Sequence, residues 1–525
     1  MRAAAVAVAL IAVIAAPAAN ALHAGFLAMP ELGHLYPLAA VAHAFVGLSE
    51  DNRVTMLTYS LGMKDCQRAI AGAPRVECQP FTDHGFDDFD EKFFEDFVTK
   101  PALETLGFIG EKGVELQINV SDAVVAAFKK EPRYDVILAD FAHVEVAIMA
   151  AEVTETPLAV LWPLVLQLPA VARDPRIPQL GLALSIDMPW WQQMLNFAFS
   201  RLGTVMMWKK SAPFEALRAK LGLPASNILA PYRNHLVITP SVFGLDIPQP
   251  LCPNVVPAGM LQPPTAHAAD VTIDADWQQW LDGCAKLGGI VYANMGSLGR
   301  LPPSWVAMFD AALRNTSRAA GGRRCVLWKL QERQQVGLVA FGDGTHTNTE
   351  RVTGWLPFSP RTLLEQRRIS VFVTHCGDTS VYETVQYGAA FVGYALFADQ
   401  PDMCARVADA KLGVALDKMS AGSEELHAAV ATALAMEADA RVRMATLRMV
   451  SQLQGESRRA AEALAMTAEF PQLMVDTATD VWTGMEVDAT LGFSVALCLV
   501  FSGLWSCMSW LLCCGRRRAP RATSK

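Results

Sequence analysis

The chain has few charged residues and no basic excess. Of its 525 residues, 18% are charged and 52% are hydrophobic, and the formal net charge is −8. The hydrophobic content excludes a disordered chain, and the acidic balance excludes the basic surface of a nucleic-acid-binding protein. No internal sequence repeat is evident, and the length predicts two or three domains.

Residues at metal-ligand spacing are also missing. None of the 11 cysteines lies at zinc-type spacing. The two Asp-x-Asp pairs, 88–90 and 274–276, do not end a predicted strand, so we expect both to be solvated. We therefore expect neither a metal ion nor another cofactor. Cys66 and Cys78 could pair in an oxidising compartment, but the sequence does not decide this.

Both ends of the chain resemble targeting segments. Residues 1–21 read as a secretory signal peptide that ends in a small-residue cleavage site. Residues 489–514 contain no charge, and at ~1.5 Å per residue they are long enough for a ~30 Å hydrocarbon core. The basic residues of 515–525 then mark the cytoplasmic side. The sequence predicts a single-pass type I protein of the endoplasmic reticulum membrane, with sequons at Asn119 and Asn315 in the lumen.

Strand-like apolar runs alternate with helical stretches in two regions, which indicates βαβ units and parallel sheets. A proline-rich linker, 248–275, separates domain 22–247 from domain 276–470. We predict an α/β chain with two doubly wound, Rossmann-like domains that face a cleft, followed by one transmembrane helix. The predicted strands are Leu22–Met29, Arg53–Thr58, Asp135–Leu138, Ala159–Leu161, Ile290–Asn294, Cys325–Trp328, Ser370–Thr374 and Phe391–Leu396.

The segment from Trp355 to Gln400 contains a strand, a tight turn and a helix N-terminus in succession. The turn is His375-Cys376-Gly377, and a helix N-terminus with its unpaired amides suits a phosphate group. A second strand ends at the pair Asp399-Gln400. Because ligands bind at the carboxyl ends of parallel strands, both motifs should face one crevice.

This stretch closely resembles the signature of the UDP-glycosyltransferases, membrane-anchored enzymes that move a sugar from a UDP-sugar to a small lipophilic acceptor. Trp355, a His-x-Gly turn, Glu383 and an Asp-Gln pair occur in the family's order, and the resemblance spans nearly the whole chain. It implies the GT-B architecture, with an acceptor-binding first domain and a UDP-sugar-binding second domain. The chain departs from the pattern at Phe358, where glutamine is usual, and at Thr379, where asparagine is usual.

His34 and Asp140 are the predicted catalytic residues. Each follows a strand of the first domain, and the resemblance places the family's catalytic histidine and its orienting aspartate in these two loops. A neutral imidazole accepts a proton near neutral pH, and a carboxylate behind it fixes its tautomer. The alternatives are a helix-capping histidine and an aspartate that caps the following helix; both roles of Asp140 are compatible.

The resemblance assigns the UDP-sugar to residues of the second domain. Trp355 would stack on uracil, Glu383 would bind the ribose hydroxyls, and Asp399 with Gln400 would bind the sugar. Alternatively, Trp355 is a core residue, Glu383 forms a capping box with Ser380, and Asp399 begins a helix. The predicted diphosphate contacts are His375, Gly377, Thr379, Ser380 and, less directly, Ser297.

These residues predict an inverting, metal-independent UDP-glycosyltransferase. The expected partners are a UDP-sugar, a lipophilic hydroxylated acceptor and membrane lipid; the oligomeric state, including a homo-oligomer, is left open. Two alternatives remain: glucuronosyl rather than hexosyl transfer, and a UDP-sugar-binding pseudoenzyme. The apolar segment Trp190–Trp208 is either a buried helix or a membrane-facing or acceptor-facing one.

Overall fold

The structure is a computed structural model. It describes residues 21–471 except 85–90, 131, 165–175, 211, 226–233, 250, 265–271, 319–323, 336–337 and 339–348. All of these lie in the first of two units, Met1–Met474, and none in the second, Val475–Lys525. The signal peptide up to residue 20, the segment 489–514 and the tail 515–525 lie outside the described residues and stay predictions. Within the described ranges, no helix has the length and apolarity needed to cross a membrane.

The first half of the chain builds a sheet of seven parallel strands in the order β3-β2-β1-β4-β5-β6-β7. Its central strands are buried throughout, as expected for a parallel sheet covered on both faces. The strands are β1 (His23–Leu27), β2 (Arg53–Tyr59), β3 (Val76–Thr82), β4 (Val136–Asp140), β5 (Leu158–Leu161), β6 (Leu236–Thr239) and β7 (Val255–Pro257).

Helices connect these strands and cover the sheet. They are α1 (Leu32–Leu48), α2 (Met63–Ala69), α3 (Glu91–Val98), α4 (Ala102–Phe128), α5 (Val144–Thr154), α6 (Trp190–Lys210) and α7 (Ala212–Lys220). The sequence alone predicts a helix over Leu38–Phe45 here, but α1 begins six residues earlier, with Glu31 as its N-cap. His34 therefore lies in the first turn of the helix rather than in a loop before it.

The second half repeats this architecture with six parallel strands in the order β10-β9-β8-β11-β12-β13. The strands are β8 (Ile290–Asn294), β9 (Cys325–Lys329), β10 (Glu350–Thr353), β11 (Ile369–Thr374), β12 (Ala390–Tyr394) and β13 (Gly413–Leu416). The helices are α8 (Ala275–Lys286), α9 (Pro303–Arg318), α10 (Pro360–Glu365), α11 (Asp378–Tyr387), α12 (Gln400–Asp409), α13 (Ser423–Gln454) and α14 (Glu456–Glu469). The predicted pair of doubly wound parallel sheets is confirmed.

Helix α14 returns to the first sheet. Ala460, Ala461, Ala463 and Leu464 are buried in the same apolar cluster as β1 and α1. The predicted range 276–470 groups this helix with the second sheet, although its packing partners belong to the first. As domain boundaries, 22–247, 248–275 and 276–470 stay predictions.

Helix α6 exposes several large apolar side chains in the part whose side chains are described. Trp190 is 77% exposed and Trp191 53%, and Met194, Leu195 and Leu202 are also more than half exposed. The interpretation as a buried helix is therefore wrong for this part. The membrane-facing and acceptor-facing alternatives stay predictions.

Candidate active site

The order of each sheet reverses at one point, and the predicted site residues lie there. In the first sheet the reversal falls between β1 and β4, which precede His34 and end at Asp140. In the second it falls between β8 and β11, which precede Ser297 and His375. Ligand crevices of doubly wound sheets form at such switch points, because the connecting helices diverge there.

His34 and Asp140 form a direct pair. The His34 Nδ1 atom lies 2.8 Å from the Asp140 Oδ2 atom, and Asp140 is fully buried while the His34 side chain is 24% exposed. The second carboxylate oxygen of Asp140 accepts a hydrogen bond from the Ala142 amide at 2.9 Å. Asp140 thus orients the imidazole and caps the short turn after β4, so both predicted roles coexist.

Carboxylates surround the imidazole of His34. Burial lowers its pKa, but Asp140, Glu31 and Asp399 more than offset this and raise the pKa to about 9. An unfolded histidine titrates near ~6.5, so the pair stabilises the fold fully below that pH. The stabilisation is lost as the pH rises through about 9.

His34 faces an apolar cavity of about 410 Å³. Phe93, Phe94 and Phe97 of α3 line one part of it. The predicted site residues that line it together are His34, Ser297, His375, Gly377, Asp399 and Gln400. The predicted base of the first domain and several predicted donor contacts of the second therefore line one cavity.

The turn after β11 brings the His375 ring against two glycines. A Cβ atom at Gly296 or at Gly377 would lie 2.6 Å from the His375 Nε2 atom, so no side chain fits at either position. Burial and nearby Lys329 lower the pKa of His375 to about 4. His375 is therefore neutral at physiological pH and can meet a diphosphate as a hydrogen-bond donor.

A disulfide joins the two donor motifs. Cys376, in the left-handed conformation at φ 61°, bonds to Cys404 of α12. Both cysteines are buried. The bond therefore links the His375–Gly377 turn to the helix that begins immediately after Asp399.

Trp355 lies on an adjoining depression that it shares with Ser297 and Lys329. Its side chain is 66% exposed, and the Lys329 Nζ atom lies 4.3 Å from the ring centroid. The alternative of a core tryptophan is excluded. An exposed aromatic face beside a cation suits a nucleotide base and its phosphates.

The remaining donor residues lie on or beside α11 and α12. Thr379, Ser380 and Glu383 lie on α11 and are not among the residues that line the cavity. The N-cap of this helix is Gly377, so the alternative of a capping box between Ser380 and Glu383 is wrong. Burial raises the pKa of Glu383 to about 7 despite nearby Arg361. Asp399 precedes α12, and the Gln400 Oε1 atom accepts hydrogen bonds from the amides of Leu396 and Phe397.

Comparison with known proteins identifies the family. The model of the family described as "UDP-glucoronosyl and UDP-glucosyl transferase" matches residues 42–447. The chain therefore belongs to the UDP-glycosyltransferase family.

Two curated relatives and one solved structure are representative of this family relationship. The 2-hydroxyacylsphingosine 1-beta-galactosyltransferase of Rattus norvegicus is 26% identical over 48% of this chain and 44% of its own length. UDP-glucuronosyltransferase 1A6 of Homo sapiens is 24% identical over 64% of this chain and 61% of its own length. These matches thus span less than two thirds of either relative.

The solved structure of Medicago truncatula UGT71G1 complexed with UDP-glucose has the same fold. It superposes with a TM-score of 0.59 at 16% identity, covering 86% of this chain and 98% of that one. The two-domain GT-B fold is therefore shown for this member.

One departure from the family's sequence pattern has a structural explanation. Phe358, where the family usually has glutamine, is 7% exposed, and its ring centroid lies 5.4 Å from that of Trp277. The side chain belongs to the apolar cluster beneath α8 and α10 rather than to the donor site. For Thr379, no hydrogen-bond partner of the buried hydroxyl is found among the described residues.

Two residues at the site were missed from the sequence. Glu31 lines the cavity beside His34, and Lys329 lies over Trp355. Glu31 and Lys329 each sit at the carboxyl side of a strand, a position that could have drawn attention to them. No cluster of three metal-ligating side chains occurs among the residues that the structure describes, and the predicted independence of metal stays a prediction.

Proposed function

We propose that this chain is an inverting UDP-glycosyltransferase that moves a sugar from a UDP-sugar to a hydroxyl of a small lipophilic acceptor without a metal ion. The observation behind this proposal is the His34–Asp140 pair, joined at 2.8 Å, which opens on the cavity that His375 and Asp399 also line. A protein that only binds a UDP-sugar has no need of an oriented imidazole at this place.

The proposed chemistry is a single displacement. The neutral Nε2 atom of His34 takes the proton of the acceptor hydroxyl while Asp140 stabilises the imidazolium that forms. The acceptor oxygen attacks the anomeric carbon from the face opposite UDP, so the configuration inverts. His375 and the amides at the start of α11 stabilise the charge on the departing diphosphate.

The acceptor is proposed to be apolar because aromatic side chains of α3 line its side of the cavity. The Phe93 and Phe97 rings stack at a centroid distance of 5.2 Å, and Phe97 also contacts Phe397 at 5.4 Å. Such a wall accommodates a flat or aliphatic body and leaves its hydroxyl near His34.

A glucuronate donor is the alternative, and its carboxylate would need a basic partner such as Arg406, which is the basic residue nearest in sequence to Asp399. Arg406 is already paired with other groups and is only 1% exposed. Its Nη1 atom forms an ion pair with Asp409 at 3.3 Å, and its Nη2 atom donates a hydrogen bond to the Leu184 carbonyl at 2.8 Å. This arrangement favours a neutral hexose over a sugar acid.

The disulfides support the proposed lumenal location. Cys66–Cys78, Cys284–Cys325 and Cys376–Cys404 are all formed, and disulfides persist mainly in oxidising compartments. We propose the endoplasmic reticulum membrane, with the two sheets in the lumen and the span at 489–514.

The test is acceptor-dependent release of UDP by the full-length protein in microsomes. UDP-glucose, UDP-galactose, UDP-N-acetylglucosamine and UDP-glucuronate would be offered with a pool of phenols, sterols and sphingoid lipids. We expect turnover with a hexose donor, inversion at the anomeric carbon, full activity in EDTA and loss of turnover in His34→Ala. His43→Ala is the matched control, because His43 lies on the same helix but bonds to the Ala69 carbonyl outside the cavity.

The outcomes separate the alternatives. Turnover with UDP-glucuronate alone would replace the hexosyl proposal, and activity lost in EDTA would refute independence of metal. UDP binding without turnover for any donor would indicate a pseudoenzyme.

A further inference from the structure

A buried carboxylate stands at the place where the donor diphosphate is proposed to bind. Asp378 is the first residue of α11, directly after Gly377, and it is among the residues that line the cavity. Both of its carboxylate oxygens are shut off from solvent, and neither has a hydrogen-bond partner among the described residues. An ionised carboxylate in that state is strongly disfavoured, since it has lost water without gaining a donor.

The groups that face Asp378 add to this cost. Asp399 approaches from the loop before α12, Asp246 from the chain that follows β6, and the Tyr382 hydroxyl from the next turn of α11. None of these groups is a cation. Burial first, and then Asp399 and Asp246, raise the pKa of Asp378 well above its usual range.

The N-terminus of α11 is also where the two phosphates of UDP are proposed to bind. The first amides of α11 have no partner within the helix, and Gly377 has no side chain to cap them. An anion at Asp378 would compete for these amides and repel the diphosphate. A neutral carboxyl would instead remove that repulsion and leave the amides to the phosphates.

We propose that Asp378 is a donor-site residue that admits the diphosphate of UDP only as its neutral carboxylic acid, so that UDP binding requires a proton on this side chain. The inference rests on the proposed function, because it assumes that UDP occupies this site. It adds a condition to that function, namely that the proton reduces the negative charge near the diphosphate, as a bound cation does at other diphosphate sites. The affinity for UDP and the UDP-sugar should therefore fall as the pH rises.

The experiment is UDP binding to the full-length protein in detergent micelles, measured by calorimetry from pH 6.5 to 9.5. UDP is a suitable probe because its terminal phosphate, with a pKa of about 6, is already ionised over most of this range. The native protein is compared with Asp378→Asn, which keeps the shape and a hydrogen-bond donor but cannot ionise. Each titration is repeated in EDTA and in excess MgCl2, and thermal unfolding confirms that both proteins are folded.

We expect the two proteins to bind UDP within about threefold of each other at pH 6.5. As the pH rises, the native Kd should increase by up to about tenfold per pH unit, as one linked proton requires. The Asp378→Asn protein should retain its affinity apart from titrations that both proteins share. Calorimetry in two buffers of different ionisation enthalpy should then show more proton uptake in the native protein than in Asp378→Asn.

Parallel pH profiles for the two proteins would overturn the inference while leaving the proposed function intact. Native binding that fails in EDTA and returns with MgCl2 would also overturn it, because a cation would then neutralise the carboxylate. Failure of both proteins to bind UDP at any pH would instead overturn the proposed function, and this inference with it.

Discussion

The two sides of the cavity differ in how far their polar groups are already paired. On the first-domain side, His34 bonds to Asp140, which also accepts the Ala142 amide. On the second-domain side, Asp378 has buried oxygens without a described partner, and burial raises the pKa of Asp399 to about 6. The proposed base is therefore oriented without a ligand, whereas the proposed donor side keeps polar atoms that a ligand could pair.

This contrast predicts which step each side controls. A preorganised base contributes to the chemical step, since its orientation needs no change when substrate binds. A donor side with unsatisfied groups gains most of its stabilisation when the nucleotide binds. Changes on the first side should therefore alter kcat, and changes on the second side should alter donor affinity.

The largest effect is expected from the catalytic pair. His34→Ala and Asp140→Asn should each lower kcat by roughly 10²–10⁴-fold, because the general base is lost or misoriented. UDP affinity should change by less than about twofold, since neither residue is proposed to contact the nucleotide. Single-turnover rates and calorimetry measure the two quantities, and a matching loss of UDP affinity would break the division between the two sides.

Removal of the Cys376–Cys404 disulfide should affect the donor side. The double variant Cys376→Ala/Cys404→Ala should raise the donor KM by about tenfold, because the left-handed turn loses its link to α12. Disulfides typically stabilise by about 2–4 kcal/mol, so Tm should also fall. Cys284→Ala/Cys325→Ala is the control: a similar fall in Tm without the rise in KM is expected. An equal rise in KM in both variants would mean that the Cys376–Cys404 disulfide contributes only to the general stability of the fold.

The pH profile should report the carboxylates around His34. The proposed active form of the imidazole is neutral, and the pKa of His34 is raised to about 9, so kcat at saturating donor should rise with pH and level off above that value. Glu31→Gln removes one of the charges that raise this pKa, so the inflection should move to lower pH. Activity at pH 7 should then increase by up to about tenfold, as one pKa unit would give. An unchanged inflection would mean that Glu31 does not act on His34.

The smallest effect on donor affinity is expected at Phe358. Restoring the family's glutamine with Phe358→Gln would bury an amide against Trp277 without a partner, at a cost of roughly 1–3 kcal/mol. Thermal unfolding should show the loss, while UDP affinity should not improve. Tighter UDP binding by this variant would place residue 358 in the donor site after all.

The extent to which the sequence predicted this molecule depended on local signals. Strands β1, β4, β8, β11 and β12 were predicted to within two residues at most ends, because buried parallel strands are continuous apolar runs. Strands β3, β6, β7, β10 and β13 were not predicted. Of these, β3 and β7 each contain a proline, at Pro80 and Pro257, which is tolerated only at an edge. The start of α1 was placed late because Pro37 resembles a helix start, although it lies inside the helix.

The site residues likewise divide into those that the sequence predicts and those that depend on tertiary packing. His34 and Asp140 were predicted because each follows a strand of the first domain and because the resemblance to the family places the catalytic pair in these two segments. The burial of Asp378, the neighbourhood of Asp246 and the Cys376–Cys404 bond depend on tertiary packing between distant segments. No local pattern reports such contacts.

The return of α14 to the first sheet affects how this protein can be made and dissected. Four apolar residues of that helix complete a core whose other members lie in β1, α1 and neighbouring elements. A fragment that stops at the proline-rich linker would leave that surface open, so it should be expressed with residues 456–469 supplied in trans or fused. On the ribosome, the first sheet must likewise wait for nearly the whole chain before its core can close.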